Sequence, residues 1–142
     1  GYTATGLANG TTYRFAVRAS YAGVDSELSN ELAAVPRTVP DAPTGVVATA
    51  GDGQAEVRFE APGSDGGSPI VRYEVADATG RIVAAGAGSP IVVQGLTNGT
   101  AYAFSVRAVN SAGTGLSSAL SNEVIPIAPT GGGERRQRGR RR

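Results

Sequence analysis

Hydrophobic and polar residues alternate along several short stretches of the chain. Between Gln54 and Glu60, Ala, Val and Phe occupy every second position, and charged residues lie between them. Tyr102–Ala108 follows the same period of two, which is typical of a strand with one buried face. Similar patterns predict five more strands, at Val46–Ala50, around Tyr73 and Val75, at Arg81–Ala85, around Ile91 and Val93, and at Leu120–Ile125. The alternation therefore predicts an all-β chain.

Turn-forming residues separate the predicted strands. Gly51-Asp52-Gly53 lies between the first two, and a long Gly- and Ser-rich loop from Pro62 to Pro69 precedes the third. Thr79-Gly80 and Thr97–Thr100 mark two further turns. Seven short strands with turn signals about ten residues apart predict a β-sandwich.

The chain also contains an internal repeat. Leu7–Arg18 matches Leu96–Arg107 at eight of twelve positions, with an offset of 89 residues. Leu28–Glu31 recurs as Leu120–Glu123 at an offset of 92, so the loop before the last strand should be about three residues longer in the second copy. An offset near 90 residues is the size of one small domain and is too long for a solenoid unit.

The repeat predicts how the chain is organised. Residues 1–36 are interpreted as the C-terminal part of one repeat, residues 37–40 as a linker and residues 41–127 as a complete repeat. Two prolines in and just after the linker predict that it is short and semi-rigid. Residues 128–142 are a Gly- and Arg-rich tail that is predicted to be disordered. We expect the chain to be a piece of a longer protein.

Several motifs resemble those of the fibronectin type III family. Leu96–Tyr102 is similar to the family signature Leu-x-(Pro/Asn)-Gly-Thr-x-Tyr, which appears again at Leu7–Tyr13. Asp41–Pro43 resembles the proline-led first strand of the family, and Gly66–Tyr73 resembles the entry to its third strand. The resemblance implies an immunoglobulin-like sandwich of seven strands.

The same resemblance assigns structural roles to individual residues. It implies that Tyr102 forms a tyrosine corner, with its ring inward and its hydroxyl bonded to the backbone just upstream, and that Leu96 fills the core beneath it. Phe59 stands where the family usually has Trp. The expected corner and core residues are Leu96, Tyr102, Phe59, Tyr73, Phe104 and, in the first copy, Leu7 and Tyr13.

The composition leaves few groups that could catalyse a reaction. Cys and His are absent, so the chain has no thiolate, no imidazole and neither of the usual zinc ligands. Glu56 and Glu60 lie about 13 Å apart along a strand, whereas the paired carboxylates of glycosidases are about 5–9.5 Å apart. Asp52 and Asp65 are interpreted as turn residues. We therefore predict no enzyme activity, no catalytic or metal site and no cofactor.

Charge is distributed unevenly along the chain. Residues 134–142 carry a net charge of +5, and residues 1–133 carry −4. The arginines of the tail are candidates for weak, non-specific contact with polyanions, and they are Arg135, Arg136, Arg138, Arg140, Arg141 and Arg142. The sequence contains no run of about 18 apolar residues, so it predicts no membrane span. The Arg-Gly-Asp tripeptide of some family members is absent from Asn110–Ser118.

Three functions are compatible with these features. The first is a non-catalytic spacer or interaction module of a longer bacterial protein, with the other domains of that protein and a protein or polysaccharide ligand as partners. From the family resemblance, we expect that protein to be secreted or attached to the cell surface and to act on polysaccharide. The second is a structural repeat of an assembly such as a phage tail or adhesin, and the third is polyanion binding through the tail.

Overall fold

The computed structural model describes residues 1–129, which are built from β-strands and connecting segments without helices. No helix in these residues is long and apolar enough to cross a membrane. The strands are β1 (Tyr13–Phe15), β2 (Ser20–Tyr21), β3 (Val24–Asp25), β4 (Leu32–Ala34), β5 (Thr44–Gly51), β6 (Gln54–Glu60), β7 (Arg72–Asp77), β8 (Ile82–Gly86), β9 (Ile91–Gln94), β10 (Phe104–Asn110) and β11 (Gly113–Thr114).

Strands β5 to β11 form a sandwich of two antiparallel sheets. One sheet has the order β5-β6-β9, and the other has the order β11-β10-β7-β8. Within the first sheet Val57 lies opposite Ile91, and within the second Val106 lies opposite Val75. These four side chains point into the space between the sheets, where each is buried. The predicted all-β sandwich is therefore confirmed.

The core is made of the residues that the alternation places on the inner faces. Phe104 is fully buried, and the rings of Phe59 and Tyr73 lie with their centroids 4.8 Å apart. Phe59 is 8% exposed, so a phenyl ring fills the position at which the family usually has Trp. Aromatic pairs at this distance contribute beyond the apolar area that they bury.

The segment predicted as the last strand, Leu120–Ile125, does not form a regular strand, and that prediction is wrong. The chain from Ser118 onward instead makes a contact at every third residue: Ser118 bonds to Val106 of β10, Ser121 bonds to Phe104 of β10, and Val124 forms an isolated bridge with Tyr102. Each serine N–H donates to the carbonyl of its partner, and each serine Oγ accepts the N–H of that partner at 2.9–3.0 Å. Because the hydroxyl replaces the backbone acceptor, the segment follows β10 without the two-residue period of a strand.

The N-terminal segment (residues 1–36) forms two small ribbons, in which β1 pairs with β4 and β2 pairs with β3. Its side chains are far more exposed than their counterparts in the sandwich. Phe15 is 37% exposed and Val17 is 71% exposed, whereas Phe104 and Val106 are completely buried. The apolar face of this segment is therefore uncovered in the described structure.

The two copies of the Leu-Ser-Asn-Glu motif pair in different registers. Ser29 bonds to Val17, whereas Ser121 bonds to Phe104, whose counterpart in the first copy is Phe15. Asn122, which follows Ser121, is hydrogen-bonded to β5. The counterpart Asn30 makes no side-chain hydrogen bond within residues 1–129. The register in the sandwich is thus tied to the opposite sheet, and the register in the N-terminal segment is not.

Candidate functional site at the inter-repeat joint

The predicted linker is bound to the sandwich through its backbone. The N–H of Thr38 donates to the carbonyl of Gly66 at 2.8 Å, and the Nδ2 of Asn110 donates to the carbonyl of Thr38 at 2.8 Å. Three residues further on, the N–H of Asp41 donates to the carbonyl of Ser64 at 3.1 Å. Both polar backbone groups of Thr38 are therefore used, and the linker lies along the sandwich.

Asn110, at the end of β10, is the centre of this contact. It is only 3% exposed, and its Nδ2 donates a second hydrogen bond to the carbonyl of Asp65 at 2.7 Å. Its Oδ1 accepts the N–H groups of Ala112 and Gly113 at 2.8 and 3.2 Å. The amide thus uses both donor hydrogens and both acceptor positions. It ties together the linker, the Pro62–Pro69 loop and the β10–β11 turn.

Two consecutive glycines allow the Pro62–Pro69 loop to approach the linker and the N-terminal segment this closely. Gly66 and Gly67 have φ values of +78° and +89°, a region that side chains with a Cβ rarely adopt. A Cβ on Gly66 would collide with the carbonyl oxygen of Thr38 and lie 2.6 Å from that of Val39. A Cβ on Gly67 would collide with the backbone nitrogen of Gly10, in the N-terminal segment. The joint, in which Gly66 and Gly67 contact Thr38, Val39 and Gly10, is therefore a backbone-to-backbone contact. It excludes any larger residue at the two glycine positions.

The loop that carries these glycines is braced by its own side chains. Asp65 Oδ1 accepts the N–H of Gly67 at 2.9 Å, and Ser64 Oγ accepts the N–H of Gly66 at 3.1 Å. The hydroxyls of Ser68 and Ser111 share a hydrogen bond of 2.8 Å, which joins the loop to the β10–β11 turn. These bonds hold the loop in the shape that receives the linker.

The N-terminal segment contributes the turn at Asn9-Gly10. The N–H of Gly10 donates to the carbonyl of Pro36 at 2.9 Å, directly before the linker. The second copy has the same arrangement, with the N–H of Gly99 donating to Pro126 at 2.8 Å. The repeated motif therefore builds the same turn in each copy, and in both cases the turn bonds to the proline at the C-terminal end of that copy. In the first copy the turn lies against Gly67.

The signature tyrosines have matching contacts in both copies. The N–H of Thr97 donates to the Tyr102 hydroxyl at 3.0 Å, and the N–H of Ala8 donates to the Tyr13 hydroxyl at 3.0 Å. Leu96 packs partly buried against the core of the sandwich. The corner geometry thus forms in the N-terminal segment even though its apolar face is uncovered.

The predicted surface acids take part in local bonds. Glu56 pairs with Arg58 at 2.9 Å, Asp52 accepts from the amide of Asn98 at 2.9 Å, and Asp65 braces the loop described above. Glu60, at the end of β6, is exposed. Residues 1–129 contain no group of three or more acidic, His or Cys side chains placed to hold a metal ion.

Glu74 on β7 is a largely buried carboxylate with two arginine partners. It accepts hydrogen bonds from Arg72 at 2.8 Å and from Arg107 at 3.0 Å, and its side chain is 13% exposed. The bond from Arg72 lowers the pKa of Glu74 below its ordinary value; Arg107 acts in the same direction, and burial opposes both. The carboxylate therefore stays ionised and serves as an ion-pair centre.

Sequence reasoning missed the residues that form the joint. The sequence places Asn110 in a loop without a role, and it assigns Gly66-Gly67 to the Pro62–Pro69 loop and the entry to the third strand, without a contact to the linker. The signal available in the sequence was the pair of adjacent glycines, which suggests close backbone approach but does not identify the partner. The six tail arginines, Arg135 to Arg142, lie outside the described residues.

Comparison with known proteins decides the family. The fibronectin type III domain matches residues 41–124, which is most of the sandwich. The chain belongs to the fibronectin type III family. It is 34% identical over 144 aligned residues to Endoglucanase B of Cellulomonas fimi, a match that covers 90% of the chain and 14% of that protein. It is 35% identical over 122 residues to human Myomesin-2, covering 78% of the chain and 8% of that protein.

A solved structure of domains A168–A170 from titin also resembles this fibronectin type III chain. It has a TM-score of 0.62 and 28% sequence identity, and the match covers 70% of the chain and 37% of the titin structure. The chain therefore spans about a seventh or less of the two curated relatives. Fibronectin type III domains are generally non-catalytic modules, and here they occur within much larger multidomain proteins.

Proposed function

We propose that this fibronectin type III protein is a non-catalytic spacer that holds neighbouring modules of a longer polypeptide in a set orientation. In this proposal residues 1–36 are the C-terminal part of one repeat, residues 37–40 are the linker and residues 41–127 are the next repeat. The observation that carries it is the bonding of both Thr38 backbone groups to Gly66 and Asn110. A linker held in this way transmits orientation, whereas a flexible one allows the modules to move independently.

The absence of cysteine makes a distance measurement straightforward. We would replace the exposed Thr12 and Thr49 with cysteine, attach spin labels and measure the distance distribution by pulsed electron paramagnetic resonance. The spacer proposal expects one narrow distribution. In Asn110→Asp, the carboxylate keeps the acceptor for Ala112 but loses both donor bonds, to Thr38 and to Asp65, so the distribution should broaden to at least about twice its width.

Asn98→Asp provides the matched control. It makes the same change of amide to carboxylate at the opposite end of the sandwich, where Asn98 contacts Asp52 and Gly53. It should lower stability, because it places two carboxylates together, and leave the width of the distribution unchanged. A broad distribution in the unmodified chain, or equal broadening in both variants, would contradict a rigid spacer.

We further propose that the parent protein is extracellular or attached to the cell surface and acts on polysaccharide. The support is the 34% identity to Endoglucanase B over 90% of the chain. A spacer contributes reach and orientation and does not itself bind the substrate. The isolated chain should therefore remain in the supernatant when it is mixed with insoluble cellulose. Saturable retention would instead assign it a polysaccharide-binding role.

Polyanion binding through the tail is a second proposed function. It is supported by the six arginines of residues 134–142, which carry a net charge of +5 next to a chain of net charge −4. Guanidinium groups at this density attract phosphate and sulfate groups through non-specific electrostatics. Such binding would tether the module to an anionic polymer and is compatible with a spacer role.

A further inference from the structure

The first segment of the sandwich (residues 40–51) and its final segment (residues 115–127) lie side by side and run in the same direction. Three contacts join them. In each contact the later residue follows the earlier one by 74 to 76 positions, so both segments run from the joint toward the opposite end of the sandwich. A Cβ on the glycine of the first contact would collide with the carbonyl oxygen of its proline partner, which shows how closely the segments pack there. The contacts are Pro40 with Gly115, Ala48 with Asn122 and Gly51 with Ile127.

Only three hydrogen bonds cross the seam between these two segments within residues 1–129. Two of them run from the side chain of Asn122 to the backbone of Ala48, both at 2.9 Å, and the third joins Ile127 to Gly51 at 3.2 Å. Nearer the joint, an open groove of about 440 Å³ separates the segments. The amide of Asn122 is therefore the main polar link across the seam.

Asn122 is in turn fixed to the other sheet through the residue before it. The hydroxyl of Ser121 accepts the N–H of Phe104 at 3.0 Å and donates to the carbonyl of Asn122 at 2.8 Å. On the opposite side, Ala48 is only 4% exposed, so water has little access to the bonds that it makes. A short chain of hydrogen bonds therefore connects β5 in one sheet to β10 in the other.

The direction of the two segments decides how tension would act on the sandwich. The polypeptide enters at Pro40, beside the joint, and leaves after Ile127, which is bonded to the far end of β5. Tension between neighbouring modules would pull the first segment back toward the joint and the final segment away from it. Because the segments are parallel, this displacement slides one along the other. The two bonds of Asn122 are then stretched together, and they resist more than bonds that open one after another.

We propose that the contact between Asn122 and Ala48 is a shear clamp, which enables the module to resist tension along the polypeptide. Force passes from β5 to the final segment through this contact, and from there to β10 through Ser121. The hydrophobic core stays packed until the seam opens. This function goes beyond the proposed spacer, which concerns the orientation of neighbouring modules and not the force between them.

Single-molecule force spectroscopy of the intact chain tests the clamp. The chain is held by its two termini at constant force, and unfolding of the sandwich is recognised by the length that residues 41–127 release. Asn122→Ala removes both bonds of the clamp and should raise the unfolding rate at that force at least about tenfold. Asn122→Asp is a second variant, which keeps the acceptor for the N–H of Ala48 and loses the donor, and it should also unfold faster. Circular dichroism of each variant verifies that it is folded.

Val75→Ala is the matched control. Val75 is completely buried on β7, away from the seam, so its truncation lowers equilibrium stability without removing a bond that tension stretches. If the seam opens first, the core is still formed in the transition state. The unfolding rate of Val75→Ala under force should then rise by less than about threefold. Chemical denaturation measures the loss of equilibrium stability in each variant, so that the two effects can be compared.

A second pulling direction isolates the seam. The chain has no cysteine, so handles can be attached specifically at Ala78→Cys and Ala112→Cys, two exposed positions just beyond the ends of β7 and β10. Force between these handles acts along the antiparallel β7–β10 pair and does not cross the seam. In this direction Asn122→Ala should change the unfolding rate by less than about threefold.

Two results would overturn the proposal. The first is that the folded variants of Asn122 unfold no faster than Val75→Ala when the chain is pulled by its termini. The second is that Asn122→Ala accelerates unfolding equally in both pulling directions, because the contact would then stabilise the sandwich without resisting shear. Neither result would alter the distance distribution that tests the spacer function.

Discussion

The side chain of Asn122 binds both polar backbone groups of Ala48. Its Oδ1 accepts the N–H at 2.9 Å, and its Nδ2 donates to the carbonyl at 2.9 Å. Ala48 lies in the middle of β5, whereas Asn122 follows the serine that bonds to β10. One amide therefore fastens the edge strand of one sheet to the edge of the other.

Replacing Asn122 with Ala should lower the free energy of unfolding by about 1–3 kcal/mol, because two partly buried backbone groups lose their partner. Chemical denaturation followed by circular dichroism measures the change. Asn30→Ala is the matched control and should change stability by less than about 0.5 kcal/mol. A loss for Asn122→Ala as small as that for Asn30→Ala would show that the bonds from Asn122 to Ala48 do not contribute to stability.

The tyrosine corner of the sandwich should also contribute to stability. Tyr102→Phe removes the acceptor for the N–H of Thr97 and should cost about 1 kcal/mol, since this N–H can be partly resolvated. Tyr13→Phe removes the same bond in the N-terminal segment and should leave the unfolding midpoint of the sandwich unchanged. An unfolding midpoint that Tyr102→Phe leaves unchanged would show that the tyrosine corner does not stabilise the sandwich.

Stability should depend on the ionisation of Glu74. Because Arg72 and Arg107 lower its pKa in the folded state, its contribution is fully present above the unfolded-state value near 4.5 and is lost as pH falls through the lower folded-state value. Glu74→Gln should therefore cost about 1 kcal/mol at pH 7 and progressively less below pH 4.5.

Denaturation midpoints at several pH values from 7 downwards measure this difference. Glu60→Gln makes the same change at an exposed residue of β6 and should leave the curve close to that of the unmodified protein. If the denaturation midpoints of Glu74→Gln and the unmodified protein differ by the same amount at all pH values, the ionised Glu74 carboxylate does not contribute the stability expected from its ion pairs.

The tail should bind heparin or DNA weakly and with a steep salt dependence. Six arginines that neutralise anionic groups predict a slope of about −4 to −5 in a plot of log binding constant against log salt concentration. Removal of residues 134–142 should abolish binding, because the remaining chain carries a net charge of −4. Retention of binding after this deletion would place the anion site on the rest of the chain.

Local patterns predicted most of the sandwich. The alternation in Gln54–Glu60 identified β6 with its bounds, and Gly51-Asp52-Gly53 correctly marked the turn before it. These features could be predicted because side-chain period and turn chemistry are properties of neighbouring residues. The last strand could not be predicted in this way. The serine hydroxyls in this part of the chain replace backbone acceptors only because β10 lies beside them. The three-residue spacing therefore indicates pairing only once β10 is known to be the neighbour.

The sequence by itself determined the fold class, the internal repeat, the absence of thiol and imidazole chemistry, and the basic tail, because each depends on residue identity and spacing alone. Tertiary structure decided the joint. Asn110 and Gly66 are 44 residues apart in the chain, and neither indicates a partner until folding brings both to Thr38. It likewise decided that Phe104 is buried and Phe15 is exposed, since the two residues share a motif and differ only in the sheet that covers them.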